Sequence, residues 1–472
     1  MFWLLSLVAA LSGATAAAIF DPSCECFIHD VPKSASPGTL KIAFGSCHKQ
    51  DRRNYGIWSD VAAFQPDTWA WLGDAAYLDE IHGLGRRPVP LDKMKAKWDM
   101  MLQREDYSEF LRSMEERGAS VVGTWDDHDL GENDGGKSYE NRTQAQQLFL
   151  DFLSEPADSP LRKQEGVYSA HLFEKGDLKV KLILLDVRYH RDDAPPAFTE
   201  SDADMLGEEQ WQWFERQVKH AAATGATVFI GSGVQVLSDD KQALFPAAES
   251  WSRFPKSHER LLNLLAQCGK GTKGVVLLSG DVHLAETNAL LCGAFRDTLG
   301  FPLVDFTSSG MTHTWGSILK LLLLPRRVQH YLSRHTPRRL RLGSLPILDF
   351  NFGAIEVTAQ DDAVDVAVHF KGPQQAHYGT HRLHFETGHF WHSSRDPLHG
   401  LDTPESPLEC TPERLLHEQS PVKLTPMFKV LGFMLRYRLL SALIIVSVVF
   451  LLPVAVLRRT CRRRASAKTK RE

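Results

Sequence analysis

Four short strings of this chain hold residues of cation-binding type, and six of these residues are candidate metal ligands. They are Cys47 in Phe44-Gly45-Ser46-Cys47, Asp74 and Tyr77 in Gly73-Asp74-Ala75-Ala76-Tyr77, Asp127 in Trp125-Asp126-Asp127-His128-Asp129, and Asp281 with His283 in Ser279-Gly280-Asp281-Val282-His283. Thiolate, phenolate and imidazole suit a trivalent or borderline metal, whereas carboxylate oxygens suit hard divalent ions. A carboxylate on a tight turn after a strand can give one oxygen to each of two metals, which makes Asp74 the natural bridge. His128, beside Asp127, is placed either to hydrogen-bond a phosphoryl oxygen and protonate a leaving alkoxide, or to orient a carboxylate ligand from behind.

Each string closes an apolar run, at residues 41–43, 69–72, 120–123 and 275–278, of the length of a buried strand. In an open α/β sheet, ligands gather in the crevice beyond the carboxyl ends of the strands, so donors far apart in the chain converge there. The pattern around these runs supports that placement. Helical spacing over 93–114, 139–153 and 210–223 alternates with strand-like runs at 180–186 and 227–230, which argues for an α/β domain. After Phe301 come strands without long helices, at 303–307, 353–357, 364–370 and 381–385, as expected of a second sheet packed on the first.

With 472 residues and a formal charge of −4, the chain can bury one large core or two modest ones, and it carries no nucleic-acid-binding signal. Residues 1–18 read as a cleaved signal peptide and 19–40 as a linker. The catalytic domain is expected over 41–387, followed by a membrane-proximal collar over 388–438. Residues 439–457 are nineteen without a charge, close to the ~20 that span a bilayer as a helix. The arginines of the tail, 458–472, put that tail in the cytosol and the rest outside or in a lumen, a single-pass type I arrangement in the secretory pathway or at the cell surface. The sequon Asn141-Arg142-Thr143 is consistent with that route. Such a compartment permits disulfides: Cys268 with Cys292 is one expected pair, and Cys410 with Cys24 or Cys26 another. A leucine- and arginine-rich stretch at 317–342 reads as a basic amphipathic element on a membrane surface or over an anionic substrate, or else as an insertion whose arginines face water.

The four strings, together with Leu185-Asp186-Val187-Arg188-Tyr189, Leu206-Gly207-Glu208-Glu209-Gln210-Trp211 and Asn351-Phe352-Gly353, resemble the PhoD-like alkaline phosphatases, a branch of the calcineurin-like metallophosphoesterases. That resemblance extends over residues 41–381. It implies two β-sheets in a sandwich flanked by helices and a centre of ferric iron with calcium. Cys47, Asp74, Tyr77, Asp127, Asp281 and His283 would lie on the metals and His128 near phosphate, while Arg188 would serve as a phosphate contact or a structural ion pair. The implied reaction is hydrolysis of a phosphate monoester, of a small molecule or a lipid, by a metal-activated hydroxide. A phosphodiesterase or phospholipase D-like activity is the alternative, as is a recognition ectodomain that has reused the fold. Two features depart from bacterial members: the stretch before residue 41 is too short for their N-terminal β-sandwich domain, and a C-terminal span is unusual among them. The strings Trp125-Asp126-Asp127-His128-Asp129-Leu130-Gly131-Glu132-Asn133-Asp134 and Thr307-Ser308-Ser309-Gly310-Met311-Thr312-His313 look like eukaryotic members, and His313 is expected near the site.

Overall fold

The computed structural model describes residues 18–31, 38–83, 85–194, 201–238, 249–317, 346–360, 363–394 and 406–411. The expected signal peptide, membrane span and cytosolic tail, and all of the basic stretch after Ser317, lie outside these residues. No helix among the described residues is long and apolar enough to cross a membrane.

The strands of the first half are β1 (Ile19–Asp21), β2 (Cys26–Asp30), β3 (Thr39–Gly45), β4 (Thr68–Leu72), β5 (Glu80–His82), β6 (Gly85–Arg87), β7 (Ser120–Thr124), β8 (Ser169–Lys175) and β9 (Leu178–Leu185). Those of the second are β10 (Thr227–Ser232), β11 (Val275–Ser279), β12 (Ala285–Leu290), β13 (Leu303–Ser308), β14 (Phe352–Gln360), β15 (Ala363–Gly372), β16 (Ala376–His384), β17 (His389–Ser394) and β18 (Ser406–Pro407). Two eight-stranded sheets result, in the orders β1-β2-β8-β9-β10-β11-β13-β12 and β18-β17-β16-β15-β14-β3-β4-β7, and β5 with β6 forms a separate hairpin. Pairing is parallel through β9, β10, β11 and β13 in the first sheet and through β3, β4 and β7 at one end of the second.

Strand alternation assigns the faces. Leu40, Ile42 and Phe44 of β3 and Ala70 and Leu72 of β4 join one core with the β9, β10 and β11 side chains of the other sheet. Ala43, Trp69 and Trp71 point the opposite way, into a second core with Trp58, Trp98, Phe110 and Phe149 of the covering helices. The central strands of the first sheet, such as Val275–Ser279, are buried throughout because the helices Glu208–Thr224 and Pro255–Cys268 cover their outer face.

Several expectations need correction. Residues 19–40 are not merely a linker: β1 and β2 extend the first sheet, β2 running parallel to β8. The second sheet is not built from the C-terminal half alone, since β3, β4 and β7 form its parallel part and β13 belongs to the first sheet. The helix expected over 93–114 is two, Leu91–Leu102 and Glu105–Glu116. Arg104 breaks it with an extended backbone and sends its guanidinium to the carbonyls of Gln50 and Arg52, 2.9 Å each. The start of the collar also adheres to the domain as β17 and β18, which bring Cys410 to Cys292. That disulfide and Cys24–Cys26 replace the expected pairs, and Cys268, the last residue of its helix, is free.

Candidate metal centre

All four strings lie at carboxyl ends of strands in the parallel parts of the two sheets, β3, β4, β7 and β11. The turns that follow are tight. Cys47, Asp74, Asp281 and His283 each adopt a positive φ, between 50° and 72°, a conformation that costs a non-glycine residue ~1–2 kcal/mol. Two glycines let these turns meet. A Cβ on Gly73 (φ 82°) would stand 2.4 Å from Cβ of Asp126, and one on Gly280 would stand 2.3 Å from the Leu72 carbonyl oxygen. The turns are then stitched together: His48 N–H donates to the Asp74 carbonyl at 2.8 Å, Leu78 N–H to that of His128 at 3.1 Å, and Thr312 N–H to that of Cys47 at 3.4 Å.

Cys47, Asp74 and His283 form one compact donor group, and Asp74, Asp127 and His128 form a second, so Asp74 is common to both. The Cys47 thiol sulfur is 3.5 Å from Asp74 Oδ2 and 2.9 Å from Ser309 Oγ. The Tyr77 hydroxyl donates to Asp74 Oδ2 at 2.9 Å and lies 3.2 Å from His283 Nε2 and 2.8 Å from His313 Nε2. His313 therefore stands against the centre, as its string suggested. A third group, Asp127 with Asp134 and Glu249, extends the carboxylates away from Cys47. Asp281 lies outside these tight groups. Its pKa is nevertheless set by burial and by the carboxylates of Asp126, Asp127, Glu249 and Asp74, all of which push it well above the ordinary carboxylate range.

The electrostatics describe a site short of positive charge. Burial raises Asp74 to about 6. Burial and then Asp74 push both the Cys47 thiol and the Tyr77 phenol well above their ordinary values. Although burial opposes ionisation of Asp127, His128 and Arg188 hold it down to about 2. Burial likewise works against charging His128, but Asp127 and Asp74 raise it to about 10. Asp74 Oδ1 is buried and accepts no hydrogen bond, an expensive arrangement for a carboxylate oxygen without a cation. The donor set thus fits bound metal: one orphaned oxygen on the shared carboxylate, with thiol, phenol and imidazole on one side and carboxylates on the other.

His128 is held from behind. A carboxylate only accepts, so His128 Nδ1 donates to Asp79 Oδ1, 2.9 Å away, which leaves Nε2 as the ring nitrogen that Asp79 does not engage. Arg188 is fully buried and paired with Asp126 at 2.5 Å and with Glu249. Asp79, Asp134, Glu249 and Ser309 escaped the sequence reading. Asp134 and Ser309 belong to quoted strings and Asp79 follows Tyr77 by two, but Glu249 comes to the site only through folding.

A donor cluster at the mouth of two facing sheets, with a histidine poised beside it, is the architecture of a metal-dependent hydrolase. A sequence profile of the PhoD-like phosphatases matches residues 42–368, and the chain belongs to that family. It is a hydrolase of phosphoester bonds. The fold is similar to that of a solved structure titled "Structure of PhoD", with a TM-score of 0.54 and 17% identity over 80% of this chain and 76% of that one. No curated protein matches this chain in sequence.

Proposed function

We propose that the chain hydrolyses phosphate monoesters, with ferric iron at Cys47, Asp74, Tyr77 and His283 and calcium among Asp74, Asp127 and Asp281. The observation that carries this reading is Asp74, shared between a group with thiol and imidazole donors and a group rich in carboxylate, with one buried oxygen unpartnered. When bound, the cations would neutralise phosphoryl charge and acidify water. The chain's own side chains do the rest. Burial, then His283 and His128, and last Lys49 and Arg52 disfavour a charge on His313, so two cationic side chains are near enough to meet an anionic ester once bound metal offsets the carboxylates. His128 Nε2 faces the substrate while Asp79 fixes the other nitrogen. A recognition module with no turnover would have no use for so many buried donors.

We place the domain in a lumen or outside the cell, tethered by 439–457. The disulfides Cys24–Cys26 and Cys292–Cys410 support an oxidising compartment. The test is the metal content of the purified protein together with its rates on a phosphomonoester and a phosphodiester. Iron with calcium and a faster monoester rate are expected. Asp74→Asn should lose both metals, and loss of only one would refute the shared-ligand reading. A diester rate exceeding the monoester rate would replace the substrate class.

A further inference from the structure

Outside the two sheets stands the hairpin β5–β6, paired as Glu80 with Arg87, Ile81 with Arg86 and His82 with Gly85. Its outer surface is open, and Ile81 is 70% exposed. From it one side chain reaches inward. Arg86 grips Asp79 with a two-pronged contact, Nε to Oδ2 at 2.5 Å and Nη2 to Oδ1 at 2.6 Å, and the Asp79 side chain is wholly buried. The same guanidinium lies 5.4 Å over the Tyr77 ring, which packs 4.1 Å from the ring of His128. Lys97 locks the main chain in between, donating to the carbonyls of Leu78 and Asp79 at 2.8 Å each. Arg86 is therefore in contact with the holder of His128 and with a donor of the metal centre at once.

We propose that Arg86 is a positioning residue for the hydrolysis: through Asp79 it fixes the ring of His128, and through its own face it holds the ring of Tyr77. This rests on the phosphoesterase reading. In the step concerned, a P–O bond to water forms as the ester P–O bond breaks. The proton on His128 Nε2 passes to the departing alkoxide, the water proton goes to solvent, and the ring regains its proton from solvent. A fork of two N–H groups on one carboxylate fixes that carboxylate in plane, which a single ammonium cannot do. With Asp79 free to turn, the ring of His128 loses its fixed direction and the proton transfer slows.

Leaving groups separate this role from a merely structural one. An alkoxide needs the proton, whereas 4-nitrophenolate departs without it. In the intact, metal-loaded protein, Arg86→Gln should lower kcat on glycerol 2-phosphate by about 10- to 100-fold, the usual scale for loss of a supporting contact behind a functional group. On 4-nitrophenyl phosphate the loss should stay within about threefold, with KM and metal content little changed on both esters, because proton donation acts on the transition state rather than on binding. Arg86→Lys, which keeps the charge without the fork, should fall between Arg86→Gln and the unaltered protein. A second readout needs no turnover. The downfield Nδ1–H proton of His128, assigned by its absence in His128→Gln, should be sharp in the unaltered metal-free chain and broadened in Arg86→Gln. An equal slowing of both esters, or unchanged rates with the proton signal intact, would overturn the proposal. If the unaltered, metal-loaded protein hydrolyses neither ester, it is the phosphoesterase reading that fails, and the proton signal still decides whether Arg86 orients His128.

Discussion

Replacing Arg188 by methionine should unfold the domain more readily without weakening phosphate binding. The guanidinium is wholly buried and bridges Asp126 and Glu249, both themselves buried, while Arg191 reaches Glu249 from the other side. Removing it strands the Asp126 carboxylate and leaves Glu249 with one partner. Breaking a buried pair in this way costs about 3–5 kcal/mol. At ~2.1 cal/mol/K of unfolding entropy per residue, the 327 residues from 42 to 368 give roughly 0.7 kcal/mol/K, so Tm should fall by about 4–7 °C. The penalty also has a pH signature. Glu249, which Arg188 and Arg191 hold low against the effect of burial, would titrate higher in the folded variant than in the unfolded chain, and Asp126, which burial already raises to about 8 although Arg188 opposes it, would rise further. The loss of stability should then be complete above those raised values and fade as pH falls toward the unfolded value near ~4. The double change Arg188→Met, Asp126→Asn should recover much of the lost Tm, because Glu249 keeps Arg191 as its partner and no unpaired carboxylate is left at the break. Thermal scans at several pH values, alongside KM for a phosphomonoester, decide the matter. An unchanged Tm with a KM raised tenfold or more would show that Arg188 contacts phosphate and that its ion pairs are incidental.

Three further outcomes are expected. His128→Ala should lower kcat by about a hundredfold or more while metal content is retained, and loss of metal along with activity would make His128 a ligand. The purified protein should absorb visible light through charge transfer from a ferric ligand, Tyr77→Phe removing or shifting the band and Cys47→Ser weakening iron retention; a colourless, active protein carrying only zinc or magnesium would refute the iron assignment. Protease added to sealed microsomes should remove only the basic tail after residue 457, and digestion of the large domain would overturn the lumenal topology.

The donors were legible because each closes a strand of buried length, and the order of the strings survives in the structure: Asp74 does sit between two donor groups, with Cys47 and His283 on one side and Asp127 and His128 on the other. Sheet membership was less legible. A run such as Leu303–Ser308 is apolar and fully buried, and nothing in its side chains says which of two sheets it joins. The break at Arg104 was hidden for a related reason. Arginine is a good helix former, and it is the contacts of its guanidinium with Asp106 and with the carbonyls of Gln50 and Arg52, some fifty residues away, that draw it out of the helix. The supporting residues Glu249 and Ser309 likewise acquire their roles from contacts made across the fold.

The backbone around the centre shows why residue type alone could not reveal the geometry. Positive φ is ordinarily the province of glycine, so a sequence reading assigns it to Gly73 and not to Cys47, Asp74, Asp281 or His283. At ~1–2 kcal/mol each, these four turns cost the fold on the order of 4–8 kcal/mol, comparable with the whole net stability of an ordinary domain. Glycine at any of them would relieve that strain and delete a candidate ligand. What sustains the strain is the core beneath: Phe44, Leu72 and Leu278 are fully buried directly before or within the strands that end at these turns. The same turns gather Asp74 Oδ1, with no hydrogen bond, and a phenol, a thiol and several carboxylates that burial makes reluctant to ionise. Strain and unmet charge coincide at one place, and a bound cation offsets the second of these, which is why the folded chain should hold its metals more tightly than its surface carboxylates hold any.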